Sequence, residues 1–431
     1  MALLPVFALP TGFVGRRVAG ATRQRMVHNA SLTAMMTERF EVSGALLVKL
    51  FGRASDERER YRVLASELRA DGVRIVMLTR VFFTAMGLTA ALATALAYGV
   101  GGWLTISGQL TLGTLTAFVA LLARLYAPLT QLGNIRVDIM TAMVSFERIF
   151  EVLDLTPSIR DADGARPASG VASVEFRDVW FTYPDPSEVS VGSLEAVEDA
   201  PGSPNRPVLR GISFEVPPGH TVALVGPSGA GKTTVTHLIA RLYDVCEGSV
   251  RVGGDDVREL TQESLRSQVG YVTQDAHLFH DTIRANLLYA APEATPAQID
   301  SALEQAQLAG LVERLPDGLD TVVGDRGYRL SGGERQRLAI ARLLLKEPSI
   351  VVLDEATAHL DSESEAAVQR ALERASHGRT SLVIAHRLST VRRADQILVV
   401  EDGRITERGT HDELIAAGGA YARLYARQFS P

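Results

Sequence analysis

The chain has 431 residues, of which 46% are hydrophobic, a single cysteine and a formal net charge of −6. This length accommodates two or three domains, and the excess of acidic residues argues against a nucleic-acid-binding surface. The one cysteine, Cys246, excludes a disulfide framework and a cysteine-based zinc site, and we expect it to be a small buried hydrophobe.

The first apolar stretch, residues 2–14, is too short to cross a bilayer, which requires about 20 helical residues. Arg16 and Arg17 follow it at once, whereas a secretory signal carries its basic residues in front. We interpret the stretch as the cytoplasmic end of a membrane span whose beginning precedes Met1, so that the sequence reads as truncated at its N-terminus.

A polar, helix-favouring region follows, and within it residues 37–44, T-E-R-F-E-V-S-G, differ from their surroundings. A glycine interrupts the helical pattern there, and Phe40 is an aromatic residue in a polar setting. This segment predicts a short helix that docks on another domain.

Residues 81–123 contain no Asp, Glu, Lys or Arg and are about twice as long as one membrane-crossing helix of ~20 residues. They predict a transmembrane hairpin, surrounded by membrane lipid, with its turn at residues 105–109, T-I-S-G-Q. Arg80 precedes the run, Arg124 follows it and no basic residue lies at the turn, which puts both ends in the cytoplasm. The alternative is a buried helical hairpin of a soluble protein.

Residues 157–170, rich in Pro, Asp, Gly and Ala, predict a linker, and strands alternate with helices from residue 171 onwards. This alternation is typical of an α/β nucleotide-binding domain. Inside that domain, residues 185–206 are acidic and rich in Ser, Pro and Gly, which predicts a disordered surface insertion.

Residues 226–234 read G-P-S-G-A-G-K-T-T, the pattern of a phosphate-binding loop, between an apolar strand and a helix. The glycines allow a tight turn that points backbone N–H groups at phosphate oxygens, and the helix adds its positive end. Lys232 is expected to reach the β- and γ-phosphates of ATP, and the Thr233 hydroxyl to bind Mg²⁺. The predicted ATP-binding residues of this loop are Gly226, Pro227, Ser228, Gly229, Ala230, Gly231, Lys232, Thr233 and Thr234.

Residues 349–355, S-I-V-V-L-D-E, predict a buried strand that ends in two carboxylates. At the carboxyl edge of a sheet that also holds the phosphate loop, Asp354 suits a Mg²⁺ ligand, directly or through water. Glu355 then points at the γ-phosphate and suits the general base for an attacking water.

Residues 330–337, L-S-G-G-E-R-Q-R, decide the family. At the start of a helix, such a Ser-Gly-Gly sequence can form a second anion-binding N-terminus. With this segment the chain resembles ATP-binding cassette (ABC) proteins, whose signature it is. The resemblance implies that the signature covers the ATP of a partner cassette in a head-to-tail dimer, through Leu330, Ser331, Gly332, Gly333 and Glu334.

The same resemblance implies roles for four further residues. Tyr183 in F-T-Y-P matches the aromatic residue that stacks on adenine, with an ordinary strand tyrosine as the alternative. Gln274 matches the glutamine that senses the γ-phosphate and binds Mg²⁺, and His386 matches the switch histidine that contacts the γ-phosphate during catalysis. Asp361 matches the aspartate of the inter-cassette loop, although the residues before it depart from the usual S-A-L-D.

The N-terminal third resembles the membrane domain of exporter-type ABC transporters. On that resemblance, an α-helical transmembrane domain, present in part, precedes an α/β P-loop NTPase domain of the cassette type. The implied boundaries are residues 1–157 for the partial transmembrane domain, with the end of span four, the coupling region, and spans five and six at about 81–104 and 109–130, then 158–170 for the linker and 171–431 for the cassette.

These patterns predict an ATPase subunit that couples Mg-ATP hydrolysis to export across the plasma (inner) membrane, with its cassette in the cytoplasm. Its partner is a second half-transporter, in a homodimer or a heterodimer, and its substrate is a lipid, a drug or another small molecule, or a peptide. One alternative is a truncated, non-transporting cassette ATPase. The other is a soluble cassette ATPase that acts on DNA or ribosomes, against which the acidic balance and the uncharged run both argue.

Overall fold

The computed structural model describes residues 3–168, 170–185, 206–273, 276–324, 330–354, 362–385 and 388–428. The chain divides into two compact units, one that takes in the chain up to Thr156 and one that begins at Pro157. The first unit is built from helices, and the second combines helices with two β-sheets.

Long helices form the first unit, which consists of α1 Leu3–Phe40, α2 Val42–Leu50, α3 Ala54–Ile106 and α4 Leu112–Leu153. In the described part of the chain, α3 is the one helix long and apolar enough to cross a membrane, and Leu112–Arg124 at the start of α4 is a shorter apolar segment. The chain turns between α3 and α4 at residues 107–111, and the Thr111 hydroxyl begins α4 by accepting the Thr114 N–H at 3.1 Å.

The short helix lies later in the chain than residues 37–44, where the sequence pattern predicts it. Residues 37–40 still belong to α1, because the helical backbone breaks only at Glu41 (φ −61°, ψ 155°), and α2 then starts at Val42. Gly44 lies inside α2, and a Cβ atom at this position would be 1.9 Å from the Glu38 carbonyl oxygen. The glycine therefore permits a close approach of α2 to the end of α1, instead of breaking the helix.

An ion pair and a hydrogen bond between α1 and α3 accompany the apolar packing in this unit. Arg39 Nε donates to Glu57 Oε2 at 2.9 Å, and His28 Nδ1 lies 2.7 Å from Asp71 Oδ2. Asp71 is only 7% exposed, so its carboxylate is enclosed between the helices. Each contact joins a residue of α1 to a residue of α3, so together they hold the two helices side by side.

An antiparallel sheet forms one layer of the second unit. Its strand order is β2-β1-β4-β5, with β1 Val174–Phe181, β2 Leu209–Val216, β4 Glu247–Val252 and β5 Asp255–Asp256. Phe176 of β1 stacks on Phe214 of β2, with ring centroids 4.6 Å apart. Cys246 is exposed, so the prediction that it is buried is wrong; it lies in the chain just before β4 begins and not on a buried face of a strand.

A six-stranded sheet forms the next layer, in the order β10-β9-β3-β8-β7-β6. Its pairs are parallel except for β10 with β9. The strands are β3 Thr221–Val225, β6 Val269–Val272, β7 Ile350–Asp354, β8 Thr380–Ile384, β9 Gln396–Glu401 and β10 Arg404–Gly409. The sequence pattern does not predict β4, β5 or β10, because they carry Gly, Ser and charged residues and their burial is incomplete.

Helices cover the other face of the six-stranded sheet. Along β3, Val222 and Leu224 face the antiparallel sheet, whereas Ala223 and Val225 pack against the helices. The helices of this unit are α5 Lys232–Ile239, α6 Gln262–Gln268, α7 Ile283–Leu288, α8 Pro296–Gln305, α9 Ala309–Arg314, α10 Gly332–Lys346, α11 Ser362–Ser376, α12 Leu388–Arg393, α13 His411–Ala417 and α14 Ala420–Gln428, with 3₁₀ turns at Val257–Glu259 and Gly318–Asp320. Strand β3 ends just before the phosphate loop, and helix α5 begins within it.

Candidate functional site

The phosphate loop joins the end of β3 to the start of α5, and two of its glycines are required by geometry. Gly226 has φ +151°, and a Cβ atom there would be 2.1 Å from the Val400 carbonyl oxygen. Gly231 has φ +100°, and a Cβ atom there would be 2.7 Å from Leu209 Cδ2. Only glycine lets the chain turn at these points and present the positive N-terminal end of α5 at the carboxyl edge of the sheet.

Lys232 is held inside this loop. Its Nζ donates to the Gly226 and Pro227 carbonyl oxygens at 2.8 Å each, and the residue is 7% exposed. Desolvation lowers the pKa of Lys232, and the negative charge of Asp354 partly opposes that effect. A poorly hydrated ammonium group gains more from an added anion than a solvated one, so the loop suits the phosphates of ATP.

Thr233 and Asp354, which the sequence places 121 residues apart, meet in the structure. The Thr233 Oγ1 lies 3.4 Å from Asp354 Oδ2, and Asp354 is 8% exposed at the carboxyl end of β7. Among the described residues no group of three or more His, Cys, Asp or Glu side chains could hold a metal ion by itself. One hydroxyl and one carboxylate instead fit a Mg²⁺ ion that takes its remaining ligands from phosphates and water.

Tyr183 contacts the C-terminal end of the phosphate loop, at Thr234. Its hydroxyl is 2.9 Å from Thr234 Oγ1, and its ring makes edge contacts with Phe181 and Tyr243, at centroid distances of 4.9 and 5.2 Å. The residue is 39% exposed, so the ring is anchored by neighbours yet open to solvent. This position fits stacking on a nucleotide base, which stays a prediction.

The signature segment begins helix α10. Ser331 Oγ accepts the Glu334 N–H at 3.3 Å, and Glu334 Oε2 accepts the Ser331 N–H at 2.7 Å, which together form a capping box. Leu330 and Gly333 are buried, whereas Ser331 and Gly332 are exposed. Among the described residues, no hydrogen bond or ion pair joins residues 330–334 to residues 226–234.

Four predicted residues, Gln274, Glu355, Asp361 and His386, lie outside the described residues, so their roles stay predictions. The described strands nevertheless lead to three of them. In the chain, Gln274 follows β6, Glu355 follows β7 and His386 follows β8. These three strands are neighbours and parallel, and parallel strands present their carboxyl ends at one edge of a sheet, where α/β proteins bind ligands.

The sequence patterns did not predict a contact between the phosphate-loop helix α5 and strand β6. Thr236 Oγ1 donates to the Thr233 carbonyl at 2.8 Å and lies 2.6 Å from the Tyr271 hydroxyl. Burial raises the pKa of Tyr271 to about 12, so its hydroxyl stays protonated and can donate to Thr236. The contact ties α5 to β6; a phenol in the otherwise apolar strand V-G-Y-V is the signal that could have indicated it.

Comparisons with known protein families match both units. Residues 209–358 match the family model described as ABC transporter, and residues 1–129 match the model described as ABC transporter transmembrane region. The phosphate loop, the signature and Asp354 all lie within the first match. The two matches follow the same order along the chain as the two structural units.

Similar whole proteins extend over nearly all of the chain. ATP-dependent lipid A-core flippases are 38% identical over 430 residues in Salmonella typhimurium (strain LT2) and 37% identical over 428 residues in Escherichia coli (strain K12). Each alignment covers 99% of this chain and 70% of the relative. The solved structure of a bacterial Atm1-family ABC exporter with ATP bound aligns at 34% identity with a TM-score of 0.86, over 99% of this chain and 72% of that one.

Proposed function

The chain belongs to the exporter-type ABC transporters, in which a helical transmembrane region precedes an ATP-binding cassette, and we propose that it acts as one half of a dimeric lipid exporter. It is an ATPase whose hydrolysis is coupled to transport across a membrane. The proposed location is the inner membrane with the cassette in the cytoplasm, because Arg80 and Arg124 flank the uncharged run.

The observation that carries this proposal is the convergence of Lys232, Thr233 and Asp354 at one edge of the six-stranded sheet. Lys232 supplies a buried positive charge for the β- and γ-phosphates, and its loop supplies glycines where the backbone must approach them closely. Thr233 and Asp354, 3.4 Å apart, would hold Mg²⁺, which when bound neutralises the charge of the phosphates. The protein groups present therefore fit Mg-ATP.

Hydrolysis requires a base next to this site, and Glu355 directly follows Asp354 in the chain. We assign Glu355 the role of accepting a proton from water as the water oxygen attacks the γ-phosphorus and the bond to ADP breaks. His386 is assigned contact with the γ-phosphate and Gln274 contact with Mg²⁺. Tyr183 is assigned the stacking position on adenine.

The phosphate loop of one chain supplies only half of the site that the proposed reaction needs, and the other half is a signature segment. Ser331 and Gly332 are exposed at the start of a helix of 15 residues, and within the described part of the chain their segment forms no hydrogen bond to the phosphate loop. We infer that they cover the ATP bound by a second copy, with Asp361 contributing to the contact between the two cassettes. An isologous dimer then contains two such shared sites.

Mixing two inactive variants tests this arrangement. Lys232→Ala removes the phosphate-binding lysine, and Ser331→Arg blocks the signature with a bulky side chain, so each variant alone is expected to lack ATPase activity. In mixed dimers one site combines an intact loop with an intact signature. Random pairing should restore roughly a quarter of the parental ATPase rate, because half of the dimers are mixed and each has one intact site.

The control is a mixture of Lys232→Ala protein bearing two different tags, which forms mixed dimers without any intact site. Sequential purification on both tags isolates the mixed species in each experiment. Mixed dimers of Lys232→Ala with Ser331→Arg that remain as inactive as the control would contradict the shared site.

Lipid-like amphiphiles are the substrate class that we propose. The similar proteins from Salmonella typhimurium and Escherichia coli are flippases for lipid A-core, and they align with 99% of this chain. Helices α3 and α4 also line an open apolar cleft of about 670 Å³, a volume with room for an acyl chain, to which Leu92, Leu96, Leu104, Leu115 and Phe118 contribute.

Transport of a labelled phospholipid in reconstituted vesicles tests the substrate class. We expect Mg-ATP to move the label from the leaflet that faces the cassette to the opposite leaflet, and we expect vesicles with Lys232→Ala protein to show no such movement. A fluorescent peptide added on the cassette side of the same vesicles serves as the comparison substrate. Steady ATP hydrolysis without movement of the lipid would favour the non-transporting ATPase instead.

A further inference from the structure

The segment predicted as a linker is attached to the second unit along its length. Arg166 and residues 259–261 bond through their backbones, with the Arg166 N–H on the Glu259 carbonyl at 3.0 Å and the Thr261 N–H on the Arg166 carbonyl at 2.9 Å. Arg166 Nη2 also pairs with Asp255 Oδ1 at 2.7 Å. Residues 159–168 form the strap, a segment that lies on the cassette before β1 begins.

Arg241 connects the strap to the end of the phosphate-loop helix. It follows α5 immediately after the cap residue Ala240, and its Nη2 donates to the Arg160 carbonyl at 3.2 Å while its Nε donates to Asp244 Oδ1 at 2.9 Å. Arg241 is 4% exposed and has φ +49°, a conformation that residues other than glycine seldom adopt. A desolvated charge on such a backbone is costly, and it persists only where the surrounding contacts demand it.

Asp161 connects the strap to the start of helix α6. The residue at the N-cap position, Thr261, forms no side-chain capping bond. Asp161 Oδ1 supplies the missing acceptor from the strap, at 2.9 Å from the Gln262 N–H. A carboxylate at this position also complements the positive end of the helix.

The strap also holds the body and the end of α6. The Ala168 N–H donates to Ser264 Oγ at 2.8 Å, and the Ala168 carbonyl accepts Gln268 Nε2 at 3.1 Å. Helix α6 continues without a break into β6 at Val269. The strap therefore fixes α6 at three points, and with it the position of β6.

Both elements held by the strap lead to the ATP site. Helix α5 runs from Lys232 to Ile239, so its two ends are only about 12 Å apart, at 1.5 Å per residue. Strand β6 ends at Val272, two residues before Gln274, and Tyr271 of this strand bonds to Thr236 of α5. A shift at the strap end of either element would thus displace residues predicted to touch ATP.

We propose that the strap is a working part of the ATP site, in which Arg241 and Asp161 are positioning residues that set the affinity for ATP through α5 and through α6 and β6. Neither side chain needs to touch the nucleotide. The strap is also the part of the chain that follows α4 in sequence. The inference rests on the proposed function for the identity of the ATP site.

Titration of the full-length chain in lipid nanodiscs with a fluorescent ATP analogue tests the proposal. Asp161→Ala should weaken binding about two- to tenfold, no more than the loss of one hydrogen bond allows. Asp161→Asn keeps an oxygen acceptor for the Gln262 N–H and should restore most of the affinity. Arg241→Lys, which keeps the charge but loses the forked contacts, should weaken binding by a similar factor.

Glu413→Ala is the matched control. Glu413 Oε2 accepts the Thr410 N–H at 2.8 Å, so this variant also removes a carboxylate that caps a helix, but at α13 and away from the strap. It should lower the thermal unfolding midpoint as much as Asp161→Ala does and leave ATP affinity at the parental value. Thermal unfolding of every variant is recorded in the same nanodiscs.

Parental ATP affinity in both Asp161→Ala and Arg241→Lys would overturn the proposal and reduce the strap to packing. An affinity loss in Asp161→Ala that Asp161→Asn does not reverse would also contradict the capping role. Lys232→Ala separates this failure from a failure of the proposed function. If the parental chain binds the analogue independently of Lys232, the assigned ATP site is wrong; if binding depends on Lys232 but not on the strap, only the strap proposal fails.

Discussion

Replacing Glu355 by glutamine should slow ATP hydrolysis by about 10² to 10⁴, the usual contribution of a general base. That factor corresponds to about 3 to 5 kcal/mol of activation free energy. The amide has the shape of the carboxylate but cannot accept the proton of the attacking water, so binding of Mg-ATP should be unchanged. Phosphate release at saturating ATP, together with titration by a fluorescent ATP analogue, measures both quantities.

Glu175→Gln provides the control for this substitution. Glu175 pairs with Arg177 on β1 at 2.6 Å and is not part of the predicted site, so its amide variant should hydrolyse ATP at the parental rate. The assignment of the base would be wrong if Glu355→Gln protein released phosphate as fast as the parental chain.

Replacing Lys232 by alanine should weaken ATP binding about ten- to a hundredfold, the loss expected when a hydrogen bond to a charged group worth ~1.5–3 kcal/mol is removed. Hydrolysis should fall to background, because the buried ammonium is the positive charge that the loop offers to the phosphates. This variant therefore loses binding and hydrolysis together, whereas Glu355→Gln loses hydrolysis alone. The same two assays distinguish the patterns.

Lys346→Ala is a control for the loss of a hydrogen-bonded lysine, because Lys346 is half-buried in the same unit. Lys346 Nζ donates to the Arg266 and Val269 carbonyls at 2.6 and 2.9 Å, and burial lowers its pKa as it does that of Lys232. Because these carbonyls belong to α6 and β6, its removal should lower the thermal unfolding midpoint and weaken ATP binding no more than a strap variant does, without abolishing hydrolysis. Parental ATP affinity in Lys232→Ala protein would show that residues 226–234 are not the ATP site.

Much of the candidate site is evident from local patterns in the sequence. The glycines of residues 226–234 are needed where the backbone turns tightly, and the requirement at Gly226 and Gly231 is visible in the structure as contacts that leave no room for a Cβ atom. The signature behaves in the same way, because Ser331 and Glu334 cap a helix through contacts three residues apart. When the interacting residues are close together in the chain, their spacing in the sequence indicates the local structure.

Other parts of the fold follow from burial patterns with less accuracy. Apolar runs predict the central strands β3, β7 and β8, because both faces of these strands are buried. The half-exposed strands β4, β5 and β10 carry polar residues and give no such pattern. The position of the short helix was mispredicted for a different reason. Gly44 allows α2 to approach the end of α1 closely, and this contact is visible only in the folded chain.

Local patterns in the sequence therefore predicted the phosphate loop and the signature and indicated the cassette family, because each pattern depends on residues within a few positions of one another. Folding decided the contacts between distant residues: Thr233 with Asp354, Tyr271 with Thr236, and the strap with α5 and α6. No spacing in the sequence encodes that Asp161 caps a helix 101 residues away, because the capping oxygen comes from a different segment. Such long-range contacts arise only when the sheets and helices pack, and they join the phosphate loop to the rest of the molecule.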